Sequence, residues 1–257
     1  MGNKIEMSFL SENYHQILSR VNELREKSHL ASPTLIAVSK SQSVEAIQEL
    51  YQLGHRDFGE NYAQELVAKD EALKGRGISD IRWHFIGHLQ SNKVKALLPR
   101  IYSIHTLSSF KLAQEIVRRI PSPPPLSSSS ASALLVRVAS PDVVHPSALS
   151  RGPIPVFVEV NLHREEFKSG LYSEDVISFV QKISQFPELD IQGLMCVPDP
   201  QRESRAAFEA LRSLELKCRP YTQGMLSMGM SSDFETALEC GSTHIRLGTI
   251  LFGKRGF

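Results

Sequence analysis

The sequence predicts an α/β fold, a single (β/α)₈ barrel with an extra N-terminal helix, and three observations carry that prediction. Short apolar runs alternate with longer segments of helical period, the pattern of parallel βαβ units. The chain has 257 residues, and eight strand-helix units fill about 250. No GxGxxG follows the first strand, as a dinucleotide-binding open sheet would require, and polar or special residues recur just after several strand ends, which a closed barrel gathers on one face.

Taken in order, a helix over Glu12–Lys27 comes first, with Ile17, Leu18, Val21 and Leu24 on one stripe suited to packing on a barrel. The apolar run Thr34–Val38 is the first strand, and Val44–Leu53 has helical period. The remaining strands are expected at Arg56–Phe58, Trp83–Ile86, Tyr102–Ile104, Val156–Val160, Gln192–Cys196, Met225–Met228 and His244–Leu247. Helices are expected between them at Ala63–Leu73, Ser91–Leu97, Ser109–Ile120, Glu174–Ile183, Glu203–Leu214 and Phe234–Glu239. The rhythm breaks only at 121–155, where PSPPPLSSSSAS is too polar and proline-rich to build core. That stretch reads as a surface insertion on the face opposite the strand ends, with Leu134–Val138 as a local strand or an exterior patch.

Composition excludes several function classes. Charged residues make up 22% and hydrophobic residues 41%, ordinary for a soluble domain with a sizeable core. A formal charge of +1, from 29 Lys+Arg against 28 Asp+Glu, gives no basic field for a nucleic-acid backbone. No run approaches the roughly 20 apolar residues of a membrane span. Met1-Gly2 matches the start of a myristoylation signal, but Glu6 stands where that signal needs Ser or Thr. Cys196, Cys218 and Cys240 form neither a CxxC pair nor an even set, which fits a reducing cytoplasm.

The candidate chemistry lies at strand ends. Lys40, in LIAVSKSQS, directly follows an expected interior strand and reads either as an amine that desolvation frees to attack a carbonyl or as a solvated lysine at the start of a loop. Arg246, Gly248 and Thr249 surround the end of the last strand, and Ser227, Gly229 and Ser231 that of the seventh. Together they read as a phosphate cradle of the kind barrels build beside their last two strands, and each segment alone reads also as a simple turn. Ser232 with Glu235 has the spacing of a helix capping box. His84 and His88 are four apart, but WHFIGH reads as strand and turn, so they do not form a helical zinc pair and no metal site is expected. GMSSD is not a GxSxG nucleophile elbow.

The segments AVSK (37–40), FGENY (58–62), WHFIGHLQSNK (83–93), KSG (168–170), GLM (193–195), SMGMSSD (227–233) and RLGTILFG (246–253) occur together and in order. In them the chain resembles the pyridoxal phosphate homeostasis proteins, a family with the TIM-barrel fold of the N-terminal domain of alanine racemases. The resemblance implies pyridoxal 5′-phosphate (PLP) as a Schiff base on Lys40, Arg246 facing the pyridine nitrogen, and Gly248 and Thr249 on the phosphate. A serine of 227–231, Ser227 or Ser231, would join them, with Met228 in the same segment, while Asn61 and Met195 line the ring pocket.

His88, Phe167 and the length of 121–155 depart from the family pattern; none touches Lys40, Arg246 or the phosphate segments. His88 reads either as a titrating group near the site mouth or as an exposed loop histidine.

Two functions follow from the resemblance. One is a PLP-binding homeostasis protein that holds, buffers or delivers the cofactor without robust catalysis; the other is a PLP-dependent amino-acid racemase. A guanidinium accepts no proton, so Arg246 would leave the pyridine nitrogen unprotonated and PLP a weakened electron sink. Racemisation in the related fold also draws a second base from a C-terminal β-domain, and the sequence stops at Phe257. Both points favour the first function. The expected partners are PLP and apo PLP-dependent enzymes, with no nucleic acid and no membrane, and the expected state is a cytoplasmic monomer.

Overall fold

The structure, a computed structural model, describes residues 8–28, 32–120, 152–199 and 201–253. The Met1-Gly2 pair and nearly all of the proline/serine-rich insertion, with Leu134–Val138, lie outside the described residues. Eight parallel strands form the sheet: β1 (Thr34–Val38), β2 (Asp57–Glu60), β3 (Arg82–Phe85), β4 (Ile101–Leu107), β5 (Ile154–Glu159), β6 (Leu189–Met195), β7 (Met225–Ser227) and β8 (His244–Leu247). They pair in chain order and close into a barrel where β1 meets β8, with Ile36 opposite Arg246. The predicted (β/α)₈ barrel is therefore the observed fold.

The helices are α1 (Phe9–Ser28), α2 (Val44–Gln52), α3 (Ala63–Gly75), α4 (Val94–Leu97), α5 (Phe110–Val117), α6 (Ser173–Ile183), α7 (Ser204–Cys218), α8 (Phe234–Glu239) and α9 (Thr249–Phe252). Local chemistry sets several of their ends. Ser43 and Ser109 accept the N–H of Ala46 and Leu112, each at 3.2 Å, and start α2 and α5; such caps stabilise a helix by about 1 kcal/mol. Gly54, at φ 92°, ends α2 in the left-handed conformation that glycine adopts without a Cβ clash. The extra N-terminal helix buries Leu10, Tyr14, Ile17, Val21 and Leu24 against α2, α8 and α9.

The helix α8 spans the residues expected of it, but its predicted cap differs. The turn before α8 closes one residue later than the Ser232–Glu235 spacing suggests, with Asp233 at the cap position. The Asp233 carboxylate accepts the Met230 N–H at 2.7 Å, and the Phe234 N–H reaches the Met230 carbonyl at 2.9 Å. Glu235 faces α1 instead, where it receives a two-pronged contact from Arg20 at 2.9 and 2.6 Å.

The shell between strands and helices is apolar, with Phe58, Trp83, Ile104, Val158 and Phe208 almost wholly buried. The lumen is markedly polar. Arg82 pairs with Asp57, whose Oδ1 lies 3.0 Å from His84 Nε2. His84 Nδ1 lies 3.1 Å from His105 Nε2, with the Ser103 hydroxyl 2.8 and 2.9 Å from the two nitrogens. His105 Nδ1 meets Ser227 Oγ at 2.8 Å, and that oxygen accepts from Arg246 at 2.7 Å. Phe157 stacks on His105 at 4.4 Å between ring centroids. This chain crosses the barrel from the start of β2 to the end of β8.

Candidate cofactor site

Because all eight strands run the same way, their C-terminal ends share one face, and an open cleft of about 830 Å³ lies there. Its volume falls in the range of small-molecule sites, roughly 300–1,000 Å³. Lys40 enters it from the turn after β1, Asn61 from β2, Ser231 and Ser232 from β7, and Arg246, Gly248 and Thr249 from β8 and the start of α9. Six of the nine residues singled out in the sequence thus meet in one cleft. The other three, Met195, Ser227 and Met228, are buried and stand outside its lining.

The lysine turn is held from behind by a network that sequence reasoning missed. Lys69 on α3 donates to the Ser39 carbonyl at 2.6 Å, to Glu60 at 2.8 Å and to Glu65 at 2.7 Å. The Ser39 hydroxyl donates to the same Glu60 oxygen at 2.7 Å, and Glu65 accepts the Ser41 N–H. Ser41 sits at φ 60°, a left-handed conformation uncommon for a residue with a Cβ. Burial pushes the Glu60 carboxyl up, against the hydrogen bonds from Lys69 and Ser39. An interior-facing ion pair between a helix and the outer side of a strand leaves no mark in periodicity; Lys69 reads as one more helical lysine, four after Glu65.

Arg246 is 4% exposed. Its guanidinium donates to Ser227 Oγ at 2.7 Å and to the Cys196 carbonyl at 2.8 Å, and burial moves its pKa down. On the same wall the Ser231 hydroxyl oxygen accepts two backbone N–H groups, Gly248 at 3.2 Å and Ile250 at 3.3 Å. Asn61 Oδ1 is buried with no hydrogen-bond partner among the described residues. Burial pushes the Cys196 thiol up to about 12, so it stays neutral. His88 is exposed and meets Ser169 at 3.0 Å, beside the cleft but outside its lining, whereas His84 points into the lumen. The two do not converge.

The donors and shapes present fit a phosphorylated aldehyde: an amine at Lys40, N–H groups and a hydroxyl gathered at Ser231, and a fixed cation at Arg246. No helix among the described residues is long and apolar enough to cross a membrane.

Comparison with known proteins agrees over nearly the whole chain. Residues 13–256 match the family "Alanine racemase, N-terminal domain". The pyridoxal phosphate homeostasis protein of Pseudomonas aeruginosa is 33% identical over 256 residues, 98% of each chain. That of Aquifex aeolicus is 34% identical over 255 residues, 96% of this chain and 98% of its own. Among solved structures, PipY of Synechococcus elongatus with PLP bound superposes with a TM-score of 0.74 at 29% identity, covering 95% of this chain and all of that one. The alanine racemase of Corynebacterium glutamicum, 15% identical, shares the fold with a TM-score of 0.63 over 96% of this chain and 62% of its own. On this breadth of agreement the chain belongs to the family of pyridoxal phosphate homeostasis proteins, within the alanine racemase N-terminal domain group.

Proposed function

We propose that this chain, acting as one barrel domain, binds PLP in the cleft at its C-terminal face and holds the cofactor for delivery to other proteins, without a robust catalytic cycle of its own. The observation that carries this reading is the convergence of Lys40, Arg246, Ser231, Gly248 and Thr249 on one cleft. PLP, when bound, supplies an aldehyde that condenses reversibly with a primary amine.

Each residue has a task in this reading. Lys40 provides the amine, as a Schiff-base lysine. Ser231, Gly248 and Thr249 hold the phosphate: the two N–H groups that now converge on the Ser231 oxygen are donors an anion would satisfy equally. Ser227 is engaged beneath Arg246, which favours Ser231 as the phosphate serine. Arg246, clamped by Ser227 and the Cys196 carbonyl, orients the ring and offers no site for a proton to land. Asn61 brings an acceptor that lacks a partner.

The case against strong catalysis rests on the same wall. Among the described residues lining this cleft, Lys40 and Arg246 are the titratable ones, whereas racemisation needs a second acid/base facing the lysine. An open cleft also leaves the cofactor within reach of water and amines, which suits a carrier that serves apo PLP-dependent enzymes.

The test is chemical. After incubation with PLP and reduction with borohydride, the pyridoxyl group should be recovered on the peptide that carries Lys40, and Lys40→Ala should abolish it. Recovery on another lysine, or none at all, would overturn the assignment. Delivery is tested by mixing PLP-loaded protein with an apo PLP enzyme and a PLP scavenger; activation that the scavenger fully suppresses would contradict direct transfer.

A further inference from the structure

Beside the cleft, and sharing Asn61, Ile86 and Val197 with it, lies a second cavity of about 230 Å³. It opens among the ends of β3, β5 and β6. Its volume is below that of sites for drug-sized ligands, so it suits a molecule of a few heavy atoms. Two acceptors in its wall lack partners among the described residues: Oε2 of Glu159, the last residue of β5, and Oδ1 of Asn61. A buried oxygen left bare loses its hydration without compensation, the more so when it carries charge, so two on one small cavity call for a donor from outside the chain.

The cations nearby are already committed. Lys168 pairs with Glu165 at 2.7 Å. The Arg246 guanidinium donates to Ser227 and to the Cys196 carbonyl. Glu159 keeps only the distant pull of Arg246 against its own burial, which raises its carboxyl to about 7. The ligand that complements two bare acceptors, one of them a carboxylate oxygen, is an ammonium ion, with three N–H donors and one positive charge.

We propose that this cavity binds a small primary amine, of the size of an alkylamine or short amino acid, with its ammonium group held between the Glu159 carboxylate and the Asn61 side-chain oxygen. The role of the site rests on the cofactor reading above, because it sets an amine beside Lys40; binding itself does not require PLP. An ammonium must lose a proton before its nitrogen can act as a nucleophile, and the Glu159 carboxylate would accept that proton as a carboxylic acid, leaving the neutral amine.

The titratable and charged groups around Glu159 are Arg246 from β8 and, in the same cavity wall, Cys196 just after β6, His163, Glu165 and Lys168 from the segment after β5, and His88 from beyond β3. Lys168 and Glu165 offset each other and Cys196 is neutral, so the ionisation of Glu159 governs capture of the cation.

The experiment is calorimetric titration of ethylamine into PLP-free protein, with ethanol as an uncharged control. In wild type, affinity should be about tenfold weaker at pH 6 than at pH 8, because the ionised fraction of a carboxyl near 7 falls about tenfold over that interval. Glu159→Gln should weaken binding at pH 8 at least tenfold and remove the pH dependence. Ethylamine that binds the variant as well as wild type, binds with no pH dependence, or does not bind at all overturns the proposal; the wild-type pH series needs no variant to fold. Borohydride trapping after PLP is added to separate portions of the same protein preparation, without ethylamine, separates the two readings. PLP fixed to Lys40 without ethylamine binding sinks the amine site alone, and ethylamine binding without PLP uptake sinks the cofactor reading alone.

Discussion

Replacing Lys69 by methionine removes a buried charge while keeping the length of the side chain. Lys69 and Glu60 have side chains 8% and 0% exposed, and Lys69 supplies three short contacts, to Glu60, Glu65 and the Ser39 carbonyl. Without it, Glu60 keeps only the Ser39 hydroxyl and remains in the shell between β2 and α3. Breaking a buried pair from one side costs about 3–5 kcal/mol, out of a total near 5–15 kcal/mol for a typical protein. With about 2–4 °C per kcal/mol at this chain length, Lys69→Met should melt roughly 6–20 °C below wild type.

Urea unfolding at pH 7 measures the loss directly, and Lys69→Met/Glu60→Gln should recover most of it, because the uncompensated carboxylate is gone. The sign of the pH dependence gives a second check. Burial raises the folded Glu60 carboxyl and Lys69 holds that rise in check, so without Lys69 it rises further, the variant gains more from proton uptake than wild type as the pH falls, and the deficit of Lys69→Met shrinks on acidification. A loss below about 1 kcal/mol, or one that is equal in the Glu60→Gln background, would refute the argument.

Two further outcomes are expected. Burial lowers His55 to about 4, His244 to about 3 and His105 well below its ordinary value; the unfolded chain therefore binds more protons below about pH 6.5, and stability should fall by up to about 4 kcal/mol per pH unit there, at about 1.4 for each histidine. Urea midpoints at pH 7, 6 and 5 that do not move would contradict this. A Cβ on Gly87 would lie 2.0 Å from the backbone oxygen of Asn61, so Gly87→Ala must push the β2 end of the cleft aside. It should lower stability by about 1–3 kcal/mol and reduce borohydride-trapped PLP on Lys40; wild-type values for both would show the contact to be unimportant.

The barrel was legible because each strand is an apolar run and most helices are long enough to show their period. Boundaries were less so: β6 begins at Leu189, three residues before the expected start, since Asp190 and Gln192 interrupt the apolar run. The four-residue α9 is too short to register a period and was missed. Of the cleft lining, Lys40, Arg246 and the segments after β7 and β8 were legible because glycine, serine and charge cluster after strands. The supports were not. Glu60 and Lys69 are brought together only when α3 folds onto β2, and Asp57, His84 and His105 become neighbours only when three strands curve around one lumen. Glu159 falls inside an expected strand, and no sequence pattern marks its side-chain oxygen as bare in a cavity.

The hydrogen-bonded series through the lumen has a direction. Arg246 can only donate and the ionised Asp57 can only accept: burial pushes the Asp57 carboxyl up, but the hydrogen bonds from Arg82 and His84 outweigh it and leave the group well below its ordinary value. With one proton on each imidazole, the rest follows in sequence. Arg246 gives to Ser227, Ser227 to His105 Nδ1, His105 Nε2 to His84 Nδ1 directly or by way of Ser103, and His84 Nε2 to Asp57. Every proton points the same way, from the mouth of the barrel to its base. The cation at one end and the anion at the other therefore set the tautomers of both rings, and the guanidinium that faces the cleft is aimed partly by a carboxylate on the far side of the molecule.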